Sequence, residues 1–476
     1  MSRSGTVRRS SYGIGAFFAA MVLTTGTALA CPVDPGTAQT NVGEGRDAAR
    51  THAVHGGADV GKTSAAVSSA IKGVEHVGTV PDAKDATSLV FMDYGKGPGK
   101  RTIVYVSGRF GLKGYDITAD PTRPRLVGEF SLPGFWQSED TDADHKRKII
   151  YLSRDPRAFG GTTDTGVSGV YIIDVSKPET PTLITFQELP AGHTTSCIND
   201  CKFLWTGGPA KAAWQPADWG GRPAWVTDVR DPRHPKVFPD PIDLGRNDGK
   251  TDYTHDIQID SAGVAWSSGR GGVRGYYTRG RHFDPVAERF RTATAWDPVP
   301  YAGGGIDEAT TNSSFMHNSF RAVGRTKDQG ADPRTWGDGK LLIATEETFN
   351  DGCANDGLLV ISSLEGSFDG QGWRSTPENP FRLRTIGTWS PVGQEGSRED
   401  TADCSAHYFD VKDGVLAQAF YNQGVRFIDV RDPTNPTQVA YFRMDDARAW
   451  AAYWHGGHVY VADNVRGIDI LRPTFR

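Results

Sequence analysis

Four short segments of this sequence place a histidine at the same distance ahead of an apolar strand: His193 in HTTSCI, His255 in HDIQID, His317 in HNSFRA and His407 in HYFDVK. His317 fits that phase provided that residues 321–339 are an inserted loop. Glu139 in EDTDAD holds the same place in an earlier segment, and Ala451 roughly holds it in the last. Twelve histidines placed at random among 476 residues would not fall into this pattern. Neutral imidazole is the commonest metal-ligating side chain. Four of them beside one carboxylate suit Fe, Cu or Zn, with coordination positions left over for substrate. A second reading stands next to this one. A wet channel is lined by polar groups as a matter of course, and histidines there can satisfy backbone and carboxylate partners with no metal at all.

The elements that must position these residues repeat along the chain. GVRFIDVRDPTNP at 424–436 is nearly rewritten as GVYIIDVSKPETP at 169–181, with further versions in WVTDVRDPRHP (225–235) and GYDITADPTRP (114–124). Each copy follows a short apolar strand such as TIVYVSG (102–108), IIYLSR (149–154) or HVYVAD (458–463), and each leads through a Pro-bounded turn to another strand such as RLVGEFSL or TLITFQEL. Proline ends the motif because it cannot continue a ladder. With the histidine-bearing strand in front, a unit has four short strands, and seven units follow one another. That period points to an all-β, seven-bladed β-propeller of four-stranded antiparallel blades. The seventh unit stops at Arg476 without its outer strand, while VEHVGTV (74–80) ahead of the first unit has the character of RLVGEFSL. The N-terminal strand is therefore expected to complete the last blade and close the ring, which removes exposed sheet edges. In such a blade the innermost strand starts at the upper face beside the central channel, so the four histidines and Glu139 should surround its mouth.

The motif GV-[RY]-[FI]-I-D-V followed by a P-x-x-P turn resembles the LVIVD-repeat family, over roughly residues 73–476. The resemblance implies a β-propeller in an exported or cell-surface protein and says little about activity. The fourth and fifth units depart from the motif. A four-histidine iron centre on a seven-bladed propeller is also known in the carotenoid cleavage oxygenases; the chain is similar to them in that idea alone and carries none of their other motifs.

Arg109, Arg154 and Arg270 each sit just after a second strand, at the expected upper face. They would form a cationic funnel for an anionic ligand, or pair locally with carboxylates such as Asp155. Beyond Cys31 there are four cysteines, which allow three pairings. Cys197 and Cys201 flank a three-residue turn and are placed to bridge a hairpin, and Cys353 and Cys404 fall on adjacent blades at the upper face. NDGCANDG (350–357) has the composition of a calcium loop and equally of a tight turn, and HGGH (455–458) lacks a third ligand. Gly56–Thr63 matches the P-loop letters, but no buried strand precedes it.

The N-terminus reads as a signal peptide over residues 1–30: Arg3, Arg8 and Arg9, an apolar run from Ile14 to Leu23, and Ala28-Leu29-Ala30 before Cys31. Cys31 is a candidate lipid anchor, although Leu29 stands two residues before it where a lipobox wants three. Arg8-Arg9 lacks the apolar follow-on of a twin-arginine signal. Residues 31–72, rich in Ala, Gly, Thr and Ser, read as a flexible linker with a short helix near 65–72, ahead of the propeller at 73–476. No second apolar stretch suggests a transmembrane segment, and a net charge of −5 without a basic stripe argues against nucleic acid. The sequence thus favours a secreted or surface-associated binding propeller for an extracellular ligand or protein, gripping it with Gly-rich upper-face inserts at 154–168 and 207–222. Its rival is a metal-dependent oxidoreductase or hydrolase built on His193, His255, His317, His407 and Glu139, holding one ion of Fe, Cu or Zn.

Overall fold

A computed structural model describes residues 69–475, apart from 133–137, 158–165, 209–222, 244–253, 261, 270–271, 286, 307–314, 322–340, 348–352, 356, 365–384 and 400–403. Seven antiparallel blades follow one another as the repeat predicts. The first consists of Ala86–Tyr94, Arg101–Gly108, Gly111–Asp116 and Arg125–Ser131. The second consists of Thr141–Asp144, Ile149–Arg154, Gly169–Asp174 and Thr182–Glu188. The innermost strands of blades three to six are Thr194–Ile198, Thr254–Ile259, Met316–Phe320 and Phe409–Lys412. Blade four departs from the motif because a hairpin, Gly280–Asp284 with Arg289–Ala293, is inserted between its third and fourth strands. The core lies between neighbouring blades: Tyr105 and Leu112 of the first pack with Leu152 and Ile173 of the second.

The ring closes as expected. Val74–Val80 pairs with Gly467–Pro473 and supplies the outer strand of the seventh blade. The chain adds one feature that the sequence did not disclose. Ala70–Lys72 pairs with Thr437–Arg443 as a fifth strand on the sixth blade, so these residues are extended and not the end of a helix. The N-terminal segment therefore laces the last two blades together.

The repeated Asp has a physical task in the turn. At the end of the third strand its carboxylate accepts the backbone N–H two residues on: Asp116 from Thr118 (2.9 Å), Asp174 from Ser176 (2.8 Å), Asp228 from Arg230 (3.0 Å) and Asp429 from Arg431 (2.9 Å). The Asp before Pro repeats the device, as Asp120 with Thr122 and Asp432 with Thr434. These Asx turns satisfy backbone donors that the ladder has abandoned. The turn then presses on the preceding blade. A Cβ on Gly128 or Gly387 would lie 2.0 Å from the carbonyl oxygen of Pro178 or Pro433, and one on Gly78 2.2 Å from that of Thr122. Glycine is thus required in the outer strand, and Gly78 in VEHVGTV marks that segment as an outer strand facing the first blade.

Two outcomes follow from this construction. A chain starting at Pro81 leaves the Gly467–Pro473 edge bare and loses the burial of Val74 and Val80; its stability should drop by at least about 3 kcal/mol against a chain starting at Ser69, with self-association visible by light scattering. The Asp429 carboxyl is held below its usual range, first by hydrogen bonds from the Arg431 side chain and then by its backbone N–H. Stabilisation from a depressed carboxyl is present above the unfolded value of about 3.9 and fades as the pH falls below it. In acid titrations followed by thermal melts, Asp429→Asn should keep the turn and lose this pH dependence, whereas Asp429→Ala should cost about 1 kcal/mol at neutral pH.

Candidate functional site

Two of the innermost strands, those of blades four and five, aim their histidines through a shared irregularity. In blade four Thr254 pairs with Gly269 and Asp256 with Ser268, leaving His255 as the extra residue of a bulge; in blade five Met316 pairs with Glu346 and Asn318 with Thr345, leaving His317. A bulge removes one residue from the ladder, re-aims its side chain and releases its carbonyl. The freed carbonyls face the preceding blade. His255 Nδ1 donates to the His317 carbonyl (3.0 Å), and Thr194 donates its hydroxyl to the His255 carbonyl. In the seventh blade the bulged residue is Trp450, not Ala451, because Ala451 pairs regularly with Ala462. The Trp450 carbonyl accepts from His407 Nδ1 at 2.6 Å.

Four imidazoles from blades three to six therefore converge with Glu139 from blade two, all of them buried. His193 Nδ1 donates to Asp155 (2.7 Å), so three of the four rings spend their Nδ1 proton outward and turn an Nε2 lone pair inward. Those nitrogens crowd one another and one carboxylate. His193 Nε2 and His255 Nε2 are 2.7 Å apart. Glu139 Oε2 touches His193 Nε2 and lies 3.1 Å from His255 Nε2; Oε1 lies 3.3 Å from His407 Nε2 and 3.8 Å from His317 Nε2. Both ring nitrogens of His317, and Nε2 of His407, are buried without a hydrogen-bond partner. Burial opposes ionisation of Glu139, and its carboxyl is held well below the usual range only by positive charge on the His193 and His255 side, which the neutral rings do not themselves carry. Burial, reinforced by His407 and His255, drives the His317 imidazolium well below its usual range and leaves that ring neutral. A carboxylate facing lone pairs is stable only with positive charge between them, supplied by protons or by a metal ion.

Residues that spacing did not single out complete the arrangement. Asp155 is buried, and Arg157 (2.8 Å) and His193 overcome the burial penalty to keep it ionised. Glu347 Oε1 lies 3.7 Å from His407 Nε2 and accepts a hydrogen bond from the Tyr421 hydroxyl. Asp155 and Glu347 share one legible signal: each directly follows the last residue of its blade's second strand, Arg154 and Glu346. Of the three arginines, Arg154 donates to the Val167 carbonyl (2.9 Å) and the Tyr171 hydroxyl, Arg109 is half-buried, and Arg270 lies outside the described residues. His455 and His458 of HGGH face each other across a strand pair; His455 stacks on Phe91, and burial lowers its pKa to about 4. Cys353–Asn355 forms a single 3-10 turn, and the rest of that acidic segment falls mostly outside the described residues, as do Gly56–Thr63 and Cys31.

Both cysteine pairings are present. Cys197–Cys201 closes the turn between two inner strands, and Cys353–Cys404 joins blade five to the segment leading into His407, with Cα atoms 4.4 and 5.1 Å apart. Among the described residues no helix is long and apolar enough to cross a membrane.

The fold and site thus define a seven-bladed β-propeller with a buried imidazole–carboxylate cluster where the inner strands of blades two to six converge. No protein-family model matches the chain, and no curated protein does. Solved structures do. The periplasmic gluconolactonase of Pseudomonas aeruginosa is 11% identical with a TM-score of 0.44, over 75% of this chain and 86% of that one. A putative 6-phosphogluconolactonase from Bacteroides fragilis is 12% identical with a TM-score of 0.46, over 82% and 94%. A protein from Lactobacillus plantarum is 9% identical with a TM-score of 0.45, over 79% and 88%. Likeness at this distance carries no argument about activity.

The Cys353–Cys404 bridge spans 51 residues and ties together the segments that bear Glu347 and His407. Replacing both cysteines by Ser should cost about 2–4 kcal/mol in denaturant unfolding. A stability equal to the parent's would mean that blade packing alone holds these segments.

Proposed function

We propose that this protein is an exported metal-dependent enzyme, an oxidoreductase or hydrolase, whose reactive centre lies at the channel mouth among His193, His255, His317, His407 and Glu139. One observation carries the reading: the Nδ1 atoms of His193, His255 and His407 are committed to Asp155 and two carbonyls, which leaves lone pairs converging on a buried carboxylate. A proton shared between Glu139 and His193 would relieve that contact alone and would leave the buried nitrogens of His317 and His407 without a partner. A divalent cation needs what is there: neutral imidazoles with oriented partners, and the unpartnered nitrogens of His317 and His407. When bound, such an ion supplies Lewis acidity or redox chemistry. The chain's own residues orient the ligands, exclude water from the cluster and hold a proton between Tyr421 and Glu347.

Two disulfides support an oxidising compartment, in keeping with the N-terminal signal. The repeat motif supports a place among LVIVD-repeat propellers. The binding-module reading favoured by the sequence relies on loops that fall largely at 158–165 and 209–222, outside the described residues, and no observation here favours it.

Elemental analysis of the untagged mature chain tests the centre. Near-stoichiometric Fe, Cu or Zn is expected in the parent, with a fall below about a tenth of that in a folded His255→Ala/His407→Ala variant. A parent that stays metal-free after reloading would leave the cluster structural and return the search to binding partners.

A further inference from the structure

The cluster divides into two sets, and the two oxygens of one carboxylate make the division. Glu139 Oε2 faces His193 and His255, in contact with the first and 3.1 Å from the second. Glu139 Oε1 faces His407 and His317, at 3.3 and 3.8 Å. The second set has a carboxylate of its own, Glu347, 3.7 Å from His407 Nε2. The ligand atoms of His317, Glu347 and His407 lie within 4.8 Å of one another, as do those of Glu139, His255 and His317.

One ion leaves much of this unused. Protein nitrogens and oxygens bind first-row divalent ions at about 2.0–2.2 Å, so the ligands of a single ion crowd together. The 2.7 Å between His193 Nε2 and His255 Nε2 is crowding of that kind. Glu139 turns Oε2 to that pair and Oε1 to the other, and although the His255 and His317 rings are themselves 4.3 Å apart, an ion held by His193, His255 and Oε2 leaves His407 and Glu347 unused. His317, His407 and Glu347 are buried, and three of the imidazole nitrogens there have no hydrogen-bond partner.

Each set also has its own orienting acceptor or donor. Asp155 fixes His193 in the first. In the second, Tyr421 donates to Glu347 from a backbone position at φ 42°, which an aromatic residue rarely adopts. Paired bonds between the backbones of Tyr421 and Ala449 hold it there, 3.1 and 3.0 Å long. A strained tyrosine aimed at one carboxylate is intelligible if that carboxylate must be presented in one direction.

We propose that the channel mouth is a dinuclear site in which Glu139 bridges two divalent first-row transition-metal ions, one held by His193 and His255, the other by His317, His407 and Glu347. The inference rests on the metal-centre reading above and adds the number of ions and the roles of Glu139 and Glu347. Ions bridged in this way lie about 3.5–4 Å apart, close enough to act on one substrate together.

The test counts ions and asks whether they sense each other. The mature chain, stripped with chelator and reloaded with Zn2+, is passed through gel filtration and analysed for metal, and the Cu2+-loaded form is examined by electron paramagnetic resonance. Two ions per chain and a half-field signal from coupled Cu2+ are expected. Glu347→Gln should retain one ion and lose the half-field signal. One ion in the parent with an isolated Cu2+ spectrum overturns the pair and leaves the single-ion centre standing; no ion overturns both. Two uncoupled ions, both unaffected by Glu347→Gln, are adventitious and overturn the pair as well. If Glu347→Gln does not fold by circular dichroism, stoichiometry and coupling in the parent decide by themselves.

Discussion

The hydrogen bond from His407 Nδ1 to the Trp450 carbonyl crosses from the sixth blade to the seventh, and its counterpart from His255 to the His317 carbonyl crosses from the fourth to the fifth. Each needs a bulge in the receiving strand, because a residue within a regular ladder would spend its carbonyl there. The same bond fixes which ring nitrogen keeps its proton. For His255 and His407, tautomer, ring direction and inward lone pair therefore follow from a bulge in the next blade's inner strand, whereas His193 takes its tautomer from Asp155. The charge balance follows in turn: lone pairs gathered about Glu139 require a cation or a proton among them.

Such an arrangement tolerates little slack, and the propeller is built to give none. Neighbouring blades share apolar side chains across every visible seam, and outer-strand glycines let the Pro-bounded turn of one blade settle against the strand of the one before. The N-terminal strands tie the last two blades to the start of the chain, so the ring is not left to close by side-chain packing alone. Cys353–Cys404 adds a covalent tie where the chain enters the blade that carries His407.

The residues missed at the site show the limits of spacing. Arg154 is conspicuous in sequence and engages Val167 and Tyr171, while the less conspicuous Asp155 turns to His193, in the next blade. Glu347 is hidden in the same way behind Glu346, whose carboxylate accepts the Leu358 N–H at 3.0 Å instead. Alternation along a strand decides which of two adjacent residues faces the channel, and a shift of one residue reverses the answer.

By itself the sequence determined the architecture, because a blade is specified locally: an apolar strand of period two, an Asp that caps its own turn, a Pro that ends the ladder and a Gly where the next blade approaches. The count of seven, the closure by VEHVGTV and the common phase of His193, His255, His317 and His407 were legible for that reason. Tertiary structure alone decided the partners of each imidazole, the two-sided placement of the Glu139 carboxylate and the arrival of Glu347 and Tyr421. Those depend on contacts between residues some 40 to 270 positions apart in the chain, such as His407 with Trp450 and with Glu139. They are set by bulge positions and blade tilt, which no local pattern of residue types encodes.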